Sequence, residues 1–333
     1  MSEDILVVGP AWVGDMVMAQ ALFLRLRERH PQAAIDVVAP GWSLPLIARM
    51  PEVRDGIELP LGHGDFGFGV RRALGRSLRD RHYARAIVLP GSWKSALVPF
   101  FAGIPRRTGY RREFRYGLLN DLRPLDRQQL PTTVAQFLAL AEESPPAQTP
   151  AVPQPRLRTA PDRAAELIAK LSLQTGRPAV ALMPGAEYGP AKRWPAAQFA
   201  ALAGRLAERG RQVWVFGSAK ERELGQTIAN DYPGVFDLTG RTHLVDVVDL
   251  LSRAEAAVSN DSGLMHVAAA VGTPLVAIYG SSSPKMTPPL AADAKVLYKG
   301  LSCSPCFKRE CPLKHLNCLR EITVEEVLRA LPG

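Results

Sequence analysis

The chain has 333 residues, 47% of them hydrophobic, and a formal net charge of +9. This length suits two globular domains better than one core, and the charge favours an anionic partner. No run of 18 apolar residues is present, which excludes a membrane-spanning helix. Acidic Glu3 and Asp4 precede the first apolar run, so we expect no signal peptide and a cytoplasmic protein.

The first part of the chain alternates between apolar runs and helical patterns. We predict strands at 5–8, 35–39 and 86–89, each a short apolar run typical of a buried parallel strand. Helices are predicted at 16–29, at 44–49, and from the turn Pro90-Gly91-Ser92 through Phe101. This alternation indicates an α/β fold with a doubly wound parallel sheet.

A segment with six prolines, residues 142–161, interrupts this alternation and is the best linker candidate. We therefore predict two domains, 1–150 and 151–333, built as Rossmann-like halves that face each other across a cleft. In the second half the pattern resumes. Strands are predicted at 179–183, 213–216, a run ending at Val258, and 275–279, and helices at 162–173, 195–209, 220–230, 245–253 and 264–271.

The most informative stretch is Asn260-Asp261-Ser262-Gly263-Leu264-Met265-His266. It begins where a predicted strand ends, which is where open parallel sheets bind ligands. We expect Ser262 to cap the next helix, whose free N–H groups form an anion site, with His266 one turn further in. The alternative is a helix cap with a structural histidine.

Three other loops carry polar side chains at the same edge of a sheet. Asp15 follows the first strand, where it could act as a general base or simply cap a helix. Lys192 and Arg193 lie in a loop rich in glycine and proline and suit a diphosphate, although they could be ordinary surface cations. Glu221 follows the strand at 213–216, where a carboxylate can accept hydrogen bonds from a ribose or form part of a charged helical turn.

Positive charge is concentrated between residues 71 and 127, with fourteen Lys or Arg against four acids. This stretch predicts either a solvated basic face or a docking surface for an acidic molecule or membrane headgroups.

All four cysteines lie near the end of the chain, at Cys303, Cys306, Cys311 and Cys318. In a cytoplasmic protein such a cluster favours a structural Zn²⁺ site, in which His315 could replace one ligand. Disulfides and free thiols are the alternatives. We expect catalysis not to depend on these residues.

Taken together, the chain resembles the bacterial ADP-heptose transferases, a glycosyltransferase family. The resemblance covers nearly the whole chain apart from the linker and the cysteine-rich tail. It is carried by these sequences: GPAWVGDMVMAQ, MPEV, PLGHG, KSALVPFFAGIPRRTGYRREFRYGLLND, PGAEYGPAKRWP, FGSAKE and NDSGLMHVAAAVGTPLVAIYGSSSP with the following TPPL.

The resemblance implies a GT-B fold and an inverting, metal-independent transfer of L-glycero-D-manno-heptose. The donor would be ADP-heptose, and the acceptor the first heptose of the anionic lipopolysaccharide inner core. We expect a monomer in peripheral contact with the cytoplasmic face of the inner membrane, and no nucleic acid partner. A different acceptor position, or a sugar-nucleotide 2-epimerase, is the alternative activity. An RNA-binding protein is disfavoured, because basic and aromatic residues do not interleave in the predicted strands.

The resemblance also implies residue roles. Asp15 would be the base and Lys192 would hold the donor diphosphate. Glu187 and Tyr188 replace two hydroxyl residues found in a related transferase type, so this loop departs from that pattern. The expected donor-binding residues are Glu187, Lys192, Glu221, Thr242, Asp261, Ser262, Gly263 and His266. The expected acceptor-binding residues are Lys94, Arg106, Arg107, Arg111 and Arg112.

Overall fold

The computed structural model describes residues 3–62, 64–144, 146, 148, 151–230 and 232–332. The chain divides into two compact units, Met1–Pro155 and Arg156–Gly333. The boundary expected from the sequence falls on Pro150, which lies outside the described residues. Residues 151–160 form neither helix nor strand. None of the described helices is long and apolar enough to cross a membrane.

The first unit contains one sheet of six parallel strands in the order β3-β2-β1-β4-β5-β6. Every residue of the central strand β1 is buried, because helices cover both faces of such a sheet. The strands are β1 Ile5–Val8, β2 Ile35–Ala39, β3 Asp55–Glu58, β4 Arg85–Val88, β5 Arg106–Tyr110 and β6 Asp121–Arg123.

Four α-helices lie between these strands in the described part of the chain, and a fifth, α5, follows β6. They are α1 Val13–Arg29, α2 Leu44–Ile47, α3 Phe68–Ser77, α4 Leu97–Phe101 and α5 Thr133–Ala141. Helix α5 begins at a side-chain cap, in which Thr132 Oγ1 accepts a hydrogen bond from the Ala135 N–H at 3.1 Å. Glycine is needed inside α3, because a Cβ on Gly75 would lie 2.6 Å from the Val98 carbonyl oxygen. Helices α3 and α4 therefore pack backbone against backbone.

The second unit repeats the same strand order. Its six parallel strands run β12-β11-β10-β7-β8-β9. They are β7 Ala179–Met183, β8 Gln212–Val215, β9 Val235–Asp237, β10 Ala256–Asn260, β11 Leu275–Tyr279 and β12 Lys295–Tyr298. The helices are α6 Pro161–Lys170, α7 Ala196–Glu208, α8 Arg222–Ala229, α9 Leu244–Leu251, α10 Gly263–Val271, α11 Asn317–Arg320 and α12 Val324–Ala330.

The predicted fold class, two doubly wound parallel sheets with helices, is confirmed. The apolar strands were predictable, whereas β3, β5, β6, β9 and β12 were not. These five lie at or next to the edges of the sheets, where a strand is only partly covered and need not be apolar. Strand β5 starts with two arginines, and β6 and β9 have only three residues each.

One interpretation of the sequence predicted that residues 71–127 form a single basic face, but they do not. Four of its arginines are buried: Arg71, Arg85, Arg115 and Arg123. Arg85 donates to the carbonyl oxygens of Leu140 and Ala141 at the end of α5, and burial lowers its pKa to about 10. The arginines of this stretch that are exposed are Arg72, Arg76, Arg79, Arg81, Arg111, Arg112 and Arg127.

Candidate active site

In each sheet the strand order reverses between two central strands, β1 and β4 in the first unit and β7 and β10 in the second. Open α/β sheets bind ligands at the carboxyl ends of the strands beside such a reversal. The loop after β7 contains Lys192, and Asp261 directly follows β10. Two of the residues predicted from the sequence therefore follow the two strands at which the order reverses in the second unit.

Lys192 and Asp261 form an ion pair in which Nζ lies 2.6 Å from Oδ2. The Asp261 carboxylate is buried and Lys192 is half-buried, so water screens this pair less than a surface pair. The Lys192 ammonium also lies 5.3 Å from the centre of the Tyr188 ring. The pair places one cation at the end of the central strands, fixed on one side by a carboxylate and on another by an aromatic ring.

Asn260 holds the Lys192 loop in place at both ends. Its Oδ1 accepts from the Trp194 N–H at 2.9 Å, and its Nδ2 donates to the Pro184 carbonyl oxygen at 2.6 Å. The side chain is fully buried, so each bond replaces one that water cannot provide. Asn260 belongs to the sequence motif, but this role could not be predicted, because a bridge between the two ends of a loop distant in sequence leaves no local signal.

His266 is buried one turn into α10, and its Nδ1 has no hydrogen-bond partner among the described residues. Burial lowers the His266 pKa to about 4; the Asp261 carboxylate opposes this shift and the Lys192 cation adds to it. The imidazole is therefore neutral at pH 7. The buried imidazole thus lies close enough to the ion pair for both of its charges to affect the His266 pKa.

Ser262 is the N-cap residue of α10, but its side chain makes no capping hydrogen bond. The cap expected from the sequence is wrong, because the hydroxyl lies 3.3 Å from that of Ser259 instead. The first N–H groups of α10, from Gly263 onward, have no partner within the helix. They lie next to Asp261 in the chain and suit an anion.

Glu221 lies past the end of β8, where its Oε2 accepts from the N–H and hydroxyl of Ser218 at 2.7 and 3.0 Å. Its other oxygen reaches the Lys192 loop, because a Cβ on Gly185 would lie 1.9 Å from Oε1. Glycine at position 185 therefore makes room for the carboxylate. Thr242, in the turn after β9, has a buried hydroxyl with no partner in the described part of the chain.

Glu187 is the predicted donor residue least connected to this group. It is exposed and forms a surface ion pair with Lys220, with 3.6 Å between Nζ and Oε1. The hydroxyl of the neighbouring Tyr188 donates to the Phe307 carbonyl oxygen at 2.7 Å.

Two serines that were not predicted as site residues lie at the same edge. Ser281 and Ser282 follow β11, and both hydroxyls are buried without a partner among the residues described. Ser281 also touches the Lys192 loop, since its N–H donates to the Ala191 carbonyl oxygen at 3.3 Å. The run Ser281-Ser282-Ser283 directly after a predicted strand was the signal that could have revealed them.

In the first unit, Asp15 lies in the first turn of α1, directly after β1, and is half-buried. The predicted acceptor residues differ in the contacts that they make. Lys94 donates to the carbonyl oxygens of Gly64 and Asp65 at 2.6 and 2.9 Å. Arg106 pairs with Asp121 and Glu143, and Arg107 donates to two backbone carbonyls. Arg111 and Arg112 are exposed.

One small cavity is lined by all four cysteines and by His315, Ala191 and Ser281. The cysteines are Cys303, Cys306, Cys311 and Cys318. Backbone N–H groups of residues 313–316 point at the Cys311 sulfur and lower its pKa. In the described ranges, however, no group of three or more His, Cys, Asp or Glu side chains is arranged to hold a metal ion.

The segment between the first three cysteines supports the donor edge. The Ala191 N–H donates to the Arg309 carbonyl oxygen at 3.0 Å, and the Phe307 N–H donates to the Ser281 carbonyl oxygen at 2.7 Å. These bonds connect the cysteine-rich tail to the loop that contains Lys192 and to the loop after β11.

Comparison with known proteins agrees with this arrangement. The chain is 48% identical to lipopolysaccharide heptosyltransferase 2 of Escherichia coli K12, over 98% of this chain and 97% of the relative. It is 47% identical to lipooligosaccharide heptosyltransferase 2 of Haemophilus influenzae, over 88% of each chain. The solved structure of E. coli ADP-heptose LPS heptosyltransferase II superposes with a TM-score of 0.88 at 45% identity, covering 98% of this chain and 97% of that one.

The fold is thus the GT-B-like fold of the heptosyltransferases. Residues 71–317 match the profile of glycosyltransferase family 9 (heptosyltransferase). This match spans more than half of the chain, and the full-length relatives agree with it. The chain belongs to glycosyltransferase family 9, the heptosyltransferase family.

Proposed function

We propose that this enzyme transfers a heptose from ADP-heptose to the first heptose of the lipopolysaccharide inner core. The observation that carries the proposal is the Lys192–Asp261 pair beside the N-terminus of α10, at the strand reversal of the second unit. The near-complete similarity to lipopolysaccharide heptosyltransferase 2 supports the choice of donor and acceptor.

The donor diphosphate would bind Lys192 and the free N–H groups at the start of α10. Both stabilise negative charge, and that charge grows as the bond between the sugar and ADP breaks. The buried Asp261 carboxylate and the neutral His266 imidazole suit the sugar hydroxyls, because each can accept a hydrogen bond there. Glu221 would accept from the ribose, Thr242 would contact the adenosine part, and Ser281 and Ser282 add hydroxyls to the same edge.

Asp15 would act as the general base of a single inverting displacement. Its carboxylate takes the proton of the acceptor hydroxyl while that oxygen forms a bond to the anomeric carbon. The bond to ADP breaks on the opposite face, and ADP leaves with the electron pair. Because one base and one stabilised leaving group suffice, no second carboxylate is needed.

Lys192 and the α10 N-terminus supply the positive charge that a divalent cation would otherwise give, so we propose that catalysis needs no metal. A separate structural Zn²⁺ at Cys303, Cys306, Cys311 and Cys318 is proposed because these thiols line one cavity. The thiols must turn towards a common point on binding, since they are not so arranged among the described residues. Metal analysis of the reduced protein tests this: less than stoichiometric zinc would leave disulfides or free thiols.

The enzyme would act as a monomer on the cytoplasmic face of the inner membrane, where a glycolipid acceptor is presented. Of the predicted acceptor residues, Arg111 and Arg112 are the most accessible to phosphate or carboxylate groups. The other three, Lys94, Arg106 and Arg107, could meet an acceptor only alongside the contacts they already make.

The deciding experiment measures ADP release from ADP-heptose with acceptors that carry no heptose, one heptose or two. We expect release only with the one-heptose acceptor. Release with the acceptor that has no heptose would indicate a first heptosyltransferase, and release with the two-heptose acceptor a later one. Interconversion of the nucleotide sugar without acceptor would indicate an epimerase.

A further inference from the structure

A row of aromatic side chains lies on the surface of the first unit. Phe66 contacts Trp93 and Phe68, with ring centres 5.4 and 6.0 Å apart. Phe68 contacts Phe101 at 5.6 Å, and Phe101 contacts Phe100 at 5.4 Å. These five residues form one continuous group, the aromatic ridge, built from the loop before α3, the start of α3, and the turn and helix that follow β4.

Four of the five rings are strongly exposed: Phe66, Phe68, Trp93 and Phe100 retain 36–50% of their accessible surface. Since an aromatic side chain presents about 150–250 Å², the ridge leaves on the order of 300 Å² of contiguous apolar surface in water. Scattered apolar residues are ordinary on a surface, whereas a contiguous patch of a few hundred Å² is often functional.

Cations surround the ridge. The Arg107 guanidinium carbon lies 5.7 Å from the centre of the Phe100 ring. Arg72 and Arg76 follow Phe68 at spacings of four residues, so they share its face of α3, and both are exposed. The carboxylate of Asp65 accepts from the Gly62 N–H, and that of Glu113 accepts from the Trp93 N–H of the ridge.

We propose that the aromatic ridge inserts into the headgroup region of an anionic phospholipid bilayer, with Arg72, Arg76 and Arg107 meeting lipid phosphates. Apolar rings flanked by cations are the pattern of a surface that lies in a membrane interface. A saccharide occupant is disfavoured, because four of the five side chains are phenylalanines without hydrogen-bonding atoms. The inference rests on the proposed function in one respect: a lipid-anchored acceptor explains why this unit would need a membrane.

The test is sedimentation of the full chain with vesicles of phosphatidylcholine, alone or with about a third phosphatidylglycerol, without donor or acceptor. We expect binding to the anionic vesicles that weakens with salt. The double variant Arg72→Glu, Arg76→Glu should lower the partition coefficient at least about 30-fold, because each cation near such a surface contributes about a factor of five. Phe66→Ser with Phe100→Ser should weaken binding to a similar degree.

Matched controls come from the second unit. Arg209→Glu with Arg222→Glu changes the net charge equally, and Tyr232→Ser removes an equally exposed ring; both should bind vesicles within about threefold of the parent. Equal binding by the ridge variants and the controls, or equal binding to neutral and anionic vesicles, would overturn the proposal. A dimer of the parent chain that the ridge variants lose, without vesicle binding, would assign the ridge to self-association instead.

Because this assay contains no nucleotide sugar, its result is separate from that of the transfer assay. Vesicle binding without heptose transfer would leave the ridge as a membrane surface and remove only the proposed reaction.

Discussion

The two units share one strand order, yet the carboxyl edges of their sheets carry different chemistry. In the second unit the edge is polar and carries the Lys192–Asp261 ion pair. The His266 imidazole and the hydroxyls of Ser281 and Ser282 have no hydrogen-bond partner among the described residues. In the first unit the edge carries Asp15 at the start of a helix, and exposed aromatic and basic side chains lie nearby on the surface. The same strand order thus carries different loops in the two units, and function depends on the loops and not on the strands.

Asp15→Asn has the largest expected effect and tests the residue proposed as the base in the first unit. If Asp15 is the base, kcat should fall about 10²–10⁴-fold. The affinity for ADP should stay within about twofold, because the proposed ADP site lies in the second unit. ADP release and calorimetric titration with ADP measure the two quantities. The exposed Asp80→Asn is the control and should alter neither. Transfer at the parent rate by the Asp15 variant would remove it as the base.

Lys192→Ala tests the corresponding residue of the second unit. Loss of the cation that stabilises the departing diphosphate should lower kcat/KM about 10²–10³-fold and also weaken ADP binding, unlike the change at Asp15. Lys192→Arg should recover part of the loss, because the charge is retained. Lys220→Ala, on the exposed side of the same edge, should have little effect. Unchanged ADP affinity in Lys192→Ala would contradict a diphosphate contact.

His266→Gln tests whether burial in the second unit makes stability depend on the pKa of His266. The folded-state pKa of His266, about 4, lies below its ordinary value, so the unfolded chain binds more protons and stability falls as the pH drops from about 6.5 towards 4. Relative to neutral pH, protonation of the unfolded chain at His266 should lower the free energy of unfolding by about 2 kcal/mol at pH 5 and by about 3 kcal/mol near pH 4.

Urea unfolding at pH 7.5 and pH 5 would measure it. The loss of stability between the two pH values should be about 2 kcal/mol smaller in His266→Gln than in the parent. The exposed His82→Gln should follow the parent. Parallel pH dependence of His266→Gln and the parent chain would show that His266 titrates normally.

Gly185→Ala has the smallest expected effect and tests the position of the Glu221 carboxylate in the proposed donor site. The added Cβ would lie 1.9 Å from Glu221 Oε1, so the carboxylate must move. ADP affinity should fall about tenfold, the value of one charged hydrogen bond, and Glu221→Gln should produce a similar loss. Gly69→Ala, where a Cβ meets nothing within 4 Å, is the control. Normal ADP binding by Gly185→Ala would argue against a ribose contact by Glu221.

Much of this site could be predicted from the sequence, because its residues follow apolar strands. Lys192, Glu221 and Asp261 each come after a predicted strand, and carboxyl ends of parallel strands share one edge. The Asn260 bridge and the place that Gly185 leaves for Glu221 could not be predicted, since each joins loops distant in sequence. The Ser262 cap failed for a local reason: the hydroxyl of Ser259, three residues earlier, lies within 3.3 Å of the Ser262 hydroxyl.

The sequence by itself determined two parallel α/β halves, their central strands and the chemical types at the donor edge, because these depend on local hydrophobic pattern and turn residues. Only the tertiary structure decided which charges are available. Of the basic residues between 71 and 127, Arg71, Arg85, Arg115 and Arg123 are buried, whereas Arg72 and Arg76 remain exposed beside an aromatic ridge. Burial depends on packing between elements far apart in the chain, and a count of charges along the sequence does not contain that information.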